Sequence, residues 1–292
     1  MTLAIPPELH RALRYRYCRE LFAEEVCGLQ LDDWQRDVLS EPYQPTILCC
    51  SRQVGKTECV ALLAASQCIL VPGSFSLVVS TGREHAGTVL SRIKDYIRKG
   101  EEQGLCQIDS DNATRIQLDN GAGVACISSS PKAGRGFVVK QGLLIVDEAA
   151  FLPDEEGGEA GVIDSLLPTI SAGHGTPILL STPNGRLNRF AQIWHSGDEY
   201  WRRISVPWTD CPRLNAGLMA TIRASIPPAV FDQEYCCSFA ANSMNPFTQE
   251  MLAGALGGQS PPASAHEPDA EDPVIQRSQP FSLLRSAAHA NL

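Results

Sequence analysis

Seven consecutive residues, Ser51-Arg52-Gln53-Val54-Gly55-Lys56-Thr57, are of the types that hold a triphosphate. They follow an apolar run, Thr46–Cys50, and open a helical pattern that begins at Lys56. A strand, a tight loop and a helix N-terminus in that order aim several backbone N–H groups and the positive helix end at one point, which suits a phosphate. Lys56 would reach the β- and γ-phosphates as a point charge, and the Thr57 hydroxyl would ligate Mg²⁺. The general pattern G-x-x-x-x-G-K-[ST] is broken at its first position, where Cys50 replaces glycine, while Gly55 is kept. A G-K-T tripeptide at a helix start also arises by chance, so the loop needs a partner before it carries chemistry.

That partner is Gly142-Leu143-Leu144-Ile145-Val146-Asp147-Glu148, an apolar strand ending in two carboxylates. Open α/β sheets place their ligands at the C-terminal strand edge, and parallel strands bring that edge beside the loop. Asp147 is the residue to hold the Mg²⁺ shell, and Glu148 the one to polarise the water that attacks the γ-phosphate. The two roles require adjacent side chains on opposite faces. Taken alone, the pair reads first as a solvated cap on the following helix or turn; the ordered combination of loop and acids overturns that alternative.

The elements needed to position these groups are legible as hydrophobic pattern. Five apolar runs rich in β-branched residues read as buried strands: Thr46–Cys50, Ser76–Ser80, Gly123–Ser128, Gly142–Val146 and Pro177–Ser181. Helical patterns cover Lys56–Leu70, Arg83–Lys99 and Gly161–Ile170. The alternation predicts an α/β fold, a mainly parallel sheet with helices on both faces. Thr114–Leu118 and Gly123–Ser128 flank an Asn120-Gly121 turn signal, which predicts an antiparallel pair at the sheet edge.

With 292 residues, 43% of them hydrophobic, the chain can bury one sizeable core. No apolar stretch is long enough to span a membrane, and the start lacks an apolar signal core, so the expected location is the cytoplasm. Eleven cysteines show no paired C-x-x-C spacing and read as small buried hydrophobes rather than a metal or disulfide framework. A net charge of -9 argues against a basic protein that coats nucleic acid. Local patches stay open as contacts: Arg11, Arg14, Arg16 and Arg19 in the opening helix, and Arg92, Lys94, Arg98 and Lys99 in a later one. Each set reads first as a solvated helix face. After about Gly254 the composition turns to Gly, Ser, Pro, Ala and acidic residues, which predicts a disordered tail.

Three segments in this order, Ser51–Thr57, Leu144-Ile145-Val146-Asp147-Glu148-Ala149-Ala150-Phe151-Leu152-Pro153 and Ser181-Thr182-Pro183-Asn184-Gly185, resemble the ATPase half of phage terminase large subunits. That family carries a deviant P-loop with S-R-Q in place of the glycine-rich approach, so Cys50 fits it. Trp34-Gln35 resembles the family's adenine-binding element, in which the glutamine amide reads the base edge and the aromatic covers it. Ser181–Gly185 resembles the coupling motif, with Ser181 or Thr182 placed to sense the γ-phosphate. Gly134-Arg135-Gly136 resembles an R-G element, which makes Arg135 a candidate arginine finger in cis or in trans; Arg52 competes for that role.

The resemblance runs from about Leu31 to Phe239 and implies an ASCE-type P-loop NTPase. The expected organisation is an N-terminal helical extension over 1–30, a motor domain over 31–240, and a remnant of a nuclease linker with its tail over 241–292. ATP and Mg²⁺ are the implied cofactors. Double-stranded DNA, the portal and procapsid, the terminase small subunit and further copies in a ring are the implied partners, with no membrane. Full-length relatives continue into a nuclease whose metal site opens with an aspartate. Phe239-Ala240-Ala241-Asn242-Ser243 offers none, so no DNA cutting is expected of this chain. A helicase-like DNA translocase and an idle remnant that binds without turnover remain the alternatives at this point.

Overall fold

Eight strands form one sheet in the order β3-β4-β5-β2-β6-β7-β1-β8, in a computed structural model that describes residues 7–130, 134–154 and 161–239. They are β1 (Thr46–Cys50), β2 (Phe75–Ser80), β3 (Ile108–Asp111), β4 (Arg115–Leu118), β5 (Gly123–Ser128), β6 (Leu143–Asp147), β7 (Thr176–Ser181) and β8 (Arg202–Val206). The run from β5 to β8 is parallel throughout, while β4 and β3 are added antiparallel on one edge. The helices are α1 (Pro7–Tyr17), α2 (Arg19–Leu21), α3 (Asp33–Ser40), α4 (Lys56–Leu70), α5 (Arg83–Glu102), α6 (Val162–Leu166), α7 (Pro168–Ser171), α8 (Arg189–His195), α9 (Ala216–Ser225) and α10 (Pro228–Tyr235). The described residues lie in a compact unit ending at Phe239; the proline-rich tail and the stretch after Phe239 fall outside them.

Alternate residues of the central strands feed two cores, one on each face. Leu48, Val78, Ile145 and Leu180 join Tyr15, Val38 and the apolar residues of α4 and α5, while Ile47, Val79, Val146 and Leu179 join α6 and α8. Strands covered on both faces are apolar at most positions, which is why their sequence runs do not alternate. The N-terminal helices belong to the first core, because Tyr15, Phe22, Ala23 and Cys27 are buried within it. Helix α4 starts the nucleotide loop's rigid support: from Cys59 to Leu70 every residue is buried, packed between the sheet and α1, α3 and α5.

All eleven cysteines are free thiols and most are buried. Burial pushes the Cys27 and Cys68 thiols up to about 12, which leaves them protonated and chemically quiet. No helix among the described residues is long and apolar enough to cross a membrane.

One sequence expectation is corrected by the structure, and one is met and extended. The helix expected over Gly161–Ile170 is two short helices, α6 and α7, because Pro168 lacks an N–H and crowds the preceding turn; it sits instead at the start of α7. The predicted hairpin is one arm of a three-stranded antiparallel edge, since β3 pairs with β4. Its Ile-Asp-Ser-Asp sequence is mostly exposed and polar, as an edge strand that resists further pairing should be.

Gly142 sets how closely β6 can enter beside β2. A Cβ there would stand 2.1 Å from the Phe75 carbonyl oxygen, a backbone atom that cannot step aside. Gly142→Ala is therefore expected to destabilise the chain by about 1–3 kcal/mol, the usual cost of overpacking. A urea midpoint equal to wild type contradicts this.

Candidate nucleotide site

The loop after β1 leaves the C-terminal edge of the sheet between β7 and β8. Cys50 ends the strand with its thiol in the first core, so the position occupied by glycine in the general pattern is here a packing position. The tight turn comes later, through Gln53 at φ 62° and Gly55 at φ 92°. Only glycine takes the second value without strain. The Ser51 N–H donates to the Val206 carbonyl at 2.9 Å, and the Arg52 N–H to the Glu234 carbonyl at 2.9 Å. Val54 is fully buried, Lys56 opens α4 as a buried side chain, and Thr57 beside it is half-buried.

The acids meet this loop directly. Lys56 Nζ lies 3.3 Å from Glu148 Oε1, although the two residues are 92 apart in sequence. Asp147 is the last residue of β6 and only 1% exposed; its Oδ1 accepts the Glu148 N–H at 2.9 Å and its Oδ2 faces His85 Nε2 at 3.0 Å. Glu148 has φ 54° and ψ 41°, a left-handed conformation uncommon for a residue with a side chain. That twist gives neighbouring carboxylates different targets, Glu148 toward Lys56 and Asp147 toward His85. Such backbone strain is typically held where function needs it. The hydrogen bond to Asp147 raises the His85 imidazole above its ordinary value.

Two buried hydroxyls flank Asp147 on either neighbouring strand. Ser181 ends β7 and Ser80 ends β2, and the Oγ of each has no hydrogen-bond partner among the described residues. Thr182 is also buried. The turn after β7 is tied to the acid strand, because Asn184 Nδ2 donates to the Ala150 carbonyl at 3.1 Å, two residues beyond Glu148. A magnesium ion fits this donor set: one buried carboxylate at Asp147, the Thr57 hydroxyl, and unsatisfied hydroxyls close by. Mg²⁺ is usually held by one or two carboxylates with substrate phosphates and water, so no larger acidic cage is required.

On the other side of the loop, Gln35 is buried and closes a capping box with Asp32 at the start of α3. Its Oε1 accepts the Asp32 N–H at 3.0 Å, and its Nε2 reaches the Gly55 carbonyl at 3.5 Å. Trp34, expected to cover a base, is instead 8% exposed and part of the first core. Its apolar ring gains more from that burial than from an open surface position. Arg213, which carried no sequence signal, reaches the same place. Its Nη2 donates to Asp32 Oδ2 at 2.6 Å and to the Val54 carbonyl at 2.8 Å.

The arginines expected to act on phosphate divide. Arg52 is taken by Glu234 of α10, through both an ion pair and its backbone N–H, and so does not point freely at a phosphate. Arg135 is exposed in a turn closed by Gly136 at φ 87°, with no hydrogen bond or ion pair among the described residues. Half of the eight basic side chains in the two helical patches meet carboxylates, and three more are held by neutral acceptors. Arg14 pairs with Glu25, Arg92 with Glu58, Lys94 and Arg98 with Asp111, Arg19 is buried against Ser66, Gln67 and Tyr43, and Arg11 and Lys99 donate to the backbone carbonyls of Gln103 and Cys27.

The family model described as terminase large subunit, T4likevirus-type, N-terminal, matches residues 47–253. Among solved structures, the large terminase ATPase domain of Thermus phage P74-26 is similar at a TM-score of 0.62 and 20% identity, over 74% of this chain and 97% of that one. The large terminase of bacteriophage HK97 gives 0.57 and 17%, over 71% and 50%; that of a thermophilic bacteriophage in complex with ADP gives 0.56 and 12%, over 72% and 54%. This chain thus spans all but the edges of the isolated ATPase domain and about half of the two longer proteins. At these identities the likeness is one of fold. The family match extends over most of the sequence, and the chain belongs to the terminase large-subunit family, matching its N-terminal part.

Proposed function

We propose that this chain hydrolyses ATP in a magnesium-dependent site made by Ser51–Thr57, Asp147 and Glu148, and that the hydrolysis moves duplex DNA into a phage procapsid. The observation that carries the reading is the 3.3 Å ion pair between Lys56 and Glu148, which joins the phosphate loop to the acid strand. Lys56 and the loop amides bind the β- and γ-phosphates. A γ-phosphate drawn to Lys56 competes with Glu148 for its ammonium group, so binding releases the carboxylate to orient and deprotonate water. Thr57 and Asp147 would hold Mg²⁺, which neutralises charge developing on the transferring phosphoryl group. Ser181 or Thr182 would sense the γ-phosphate, and the Asn184–Ala150 bond would carry its loss to the turn behind Glu148.

Arg135 is the better finger of the two candidates, since Glu234 already occupies Arg52. Its exposure suits action in trans, on the site of the next copy in a ring. Motor residues 31–240 with a helical extension over 1–30 are the proposed organisation. The portal, the procapsid and the terminase small subunit are the proposed partners, in the cytoplasm of a bacterial host. With no carboxylate in Phe239–Ser243, the chain is not expected to cut DNA.

A packaging motor engages the DNA backbone of any sequence, so its turnover should respond to duplex DNA as such. The expected result is magnesium-dependent ATPase activity that rises several-fold with double-stranded DNA, falls with added salt, and accompanies no strand displacement. Unwinding of a forked duplex would move the reading to a helicase, and turnover indifferent to DNA would remove the motor.

A further inference from the structure

Arg213 stands at the nucleotide loop without an assigned role. It lies in the segment between β8 and α9, and its Nε and Nη2 both donate to Asp32 Oδ2, at 3.2 and 2.6 Å, while Nη2 also donates to the Val54 carbonyl at 2.8 Å. These bonds fix one edge of the guanidinium and hence its plane. The side chain nevertheless remains 52% exposed. Its Nη2 and Gln35 Nε2 each lie 3.1 Å from the point where a Cβ on Gly55 would stand, so both side chains end against the same glycine of the loop.

What these bonds leave to the guanidinium is its Nη1 amino group and the two faces of its plane. Nε and Nη2 are used by Asp32 and a carbonyl, and the Asp32 carboxylate would repel a phosphate arriving at that edge. A planar cation anchored along one edge and half open to solvent is suited to stacking on an aromatic ring. Trp34, buried in the core, leaves that task unfilled. We propose that Arg213 stacks on the purine of the bound nucleotide while Gln35 addresses its edge, so that Arg213 is a base-binding residue supplied by the segment after β8. This rests on the proposed nucleotide site and deepens it.

Competition against a fluorescent ATP analogue separates base from phosphate binding, using the full chain with ATP, GTP and inorganic tripolyphosphate as probes. Arg213→Ala and Arg213→Lys are both expected to weaken ATP and GTP about tenfold and to leave tripolyphosphate unchanged, because stacking is blind to the base's edge. Lysine can still hold Asp32 and the Val54 carbonyl, so its loss of ATP affinity cannot be ascribed to a loosened loop. Equal weakening of all three probes would reduce Arg213 to a clamp on the loop, and no weakening of ATP would leave it outside the site; either overturns the inference. A wild-type chain that binds none of the probes in a Lys56-dependent manner would sink the nucleotide site itself, and this inference with it.

Discussion

Glu148→Gln is expected to lower ATP turnover by about 10²–10⁴-fold, the range supplied by a positioned general base. ATP affinity should stay within a few-fold of wild type. The substitution keeps side-chain size and one oxygen, so the left-handed backbone at φ 54° faces no new steric demand. What it removes is the capacity to take a proton from water and the charge that now faces Lys56 at 3.3 Å. A neutral partner also competes less with the γ-phosphate for Lys56, so affinity can rise slightly. Steady-state turnover together with equilibrium binding of a fluorescent ATP analogue checks both halves. Equal turnover in the two proteins removes Glu148 as the base.

Lys56→Ala is expected to act on binding. Its ammonium group is buried at the start of α4, where the helix end and the loop amides already favour an anion, and a charge-assisted contact to phosphate is worth about 1.5–3 kcal/mol. ATP affinity should fall roughly 10–150-fold, with turnover below detection at ordinary ATP concentrations. Thermal stability should change little, because the Lys56–Glu148 pair is only partly buried and offsets its own desolvation poorly. Unchanged affinity would mean that the triphosphate lies elsewhere.

What the sequence made legible follows from what local pattern can encode. The α4 boundaries, Lys56 to Leu70, were readable because glycine marks one end and apolar residues fill the rest. The strands β1 and β5 were readable because a doubly covered strand is apolar at most positions. The strand β8 and its edge counterpart β3 were missed, since Arg202-Arg203 and Asp109-Ser110-Asp111 carry the polarity of sheet margins. Lys56, Asp147 and Glu148 could be paired from motif order alone. Contacts made across long sequence separations left no such trace: His85 meets Asp147 from 62 residues away, and Arg213 meets Asp32 from 181. Charge is legible in sequence without its partners. Arg52 and the basic helix faces were candidate phosphate contacts in sequence, and the carboxylates that occupy them, Glu234, Glu25, Glu58 and Asp111, come from other elements.

A crystal structure with Mn²⁺ and a slowly hydrolysed ATP analogue tests most directly whether loop and acids converge on one metal-bound triphosphate. The anomalous manganese peak should lie within direct reach of Thr57 Oγ1 and within one water of Asp147, with the γ-phosphate between Lys56 and Glu148. A manganese position beyond the reach of both Thr57 and Asp147, or a γ-phosphate bound away from Lys56, would contradict that convergence.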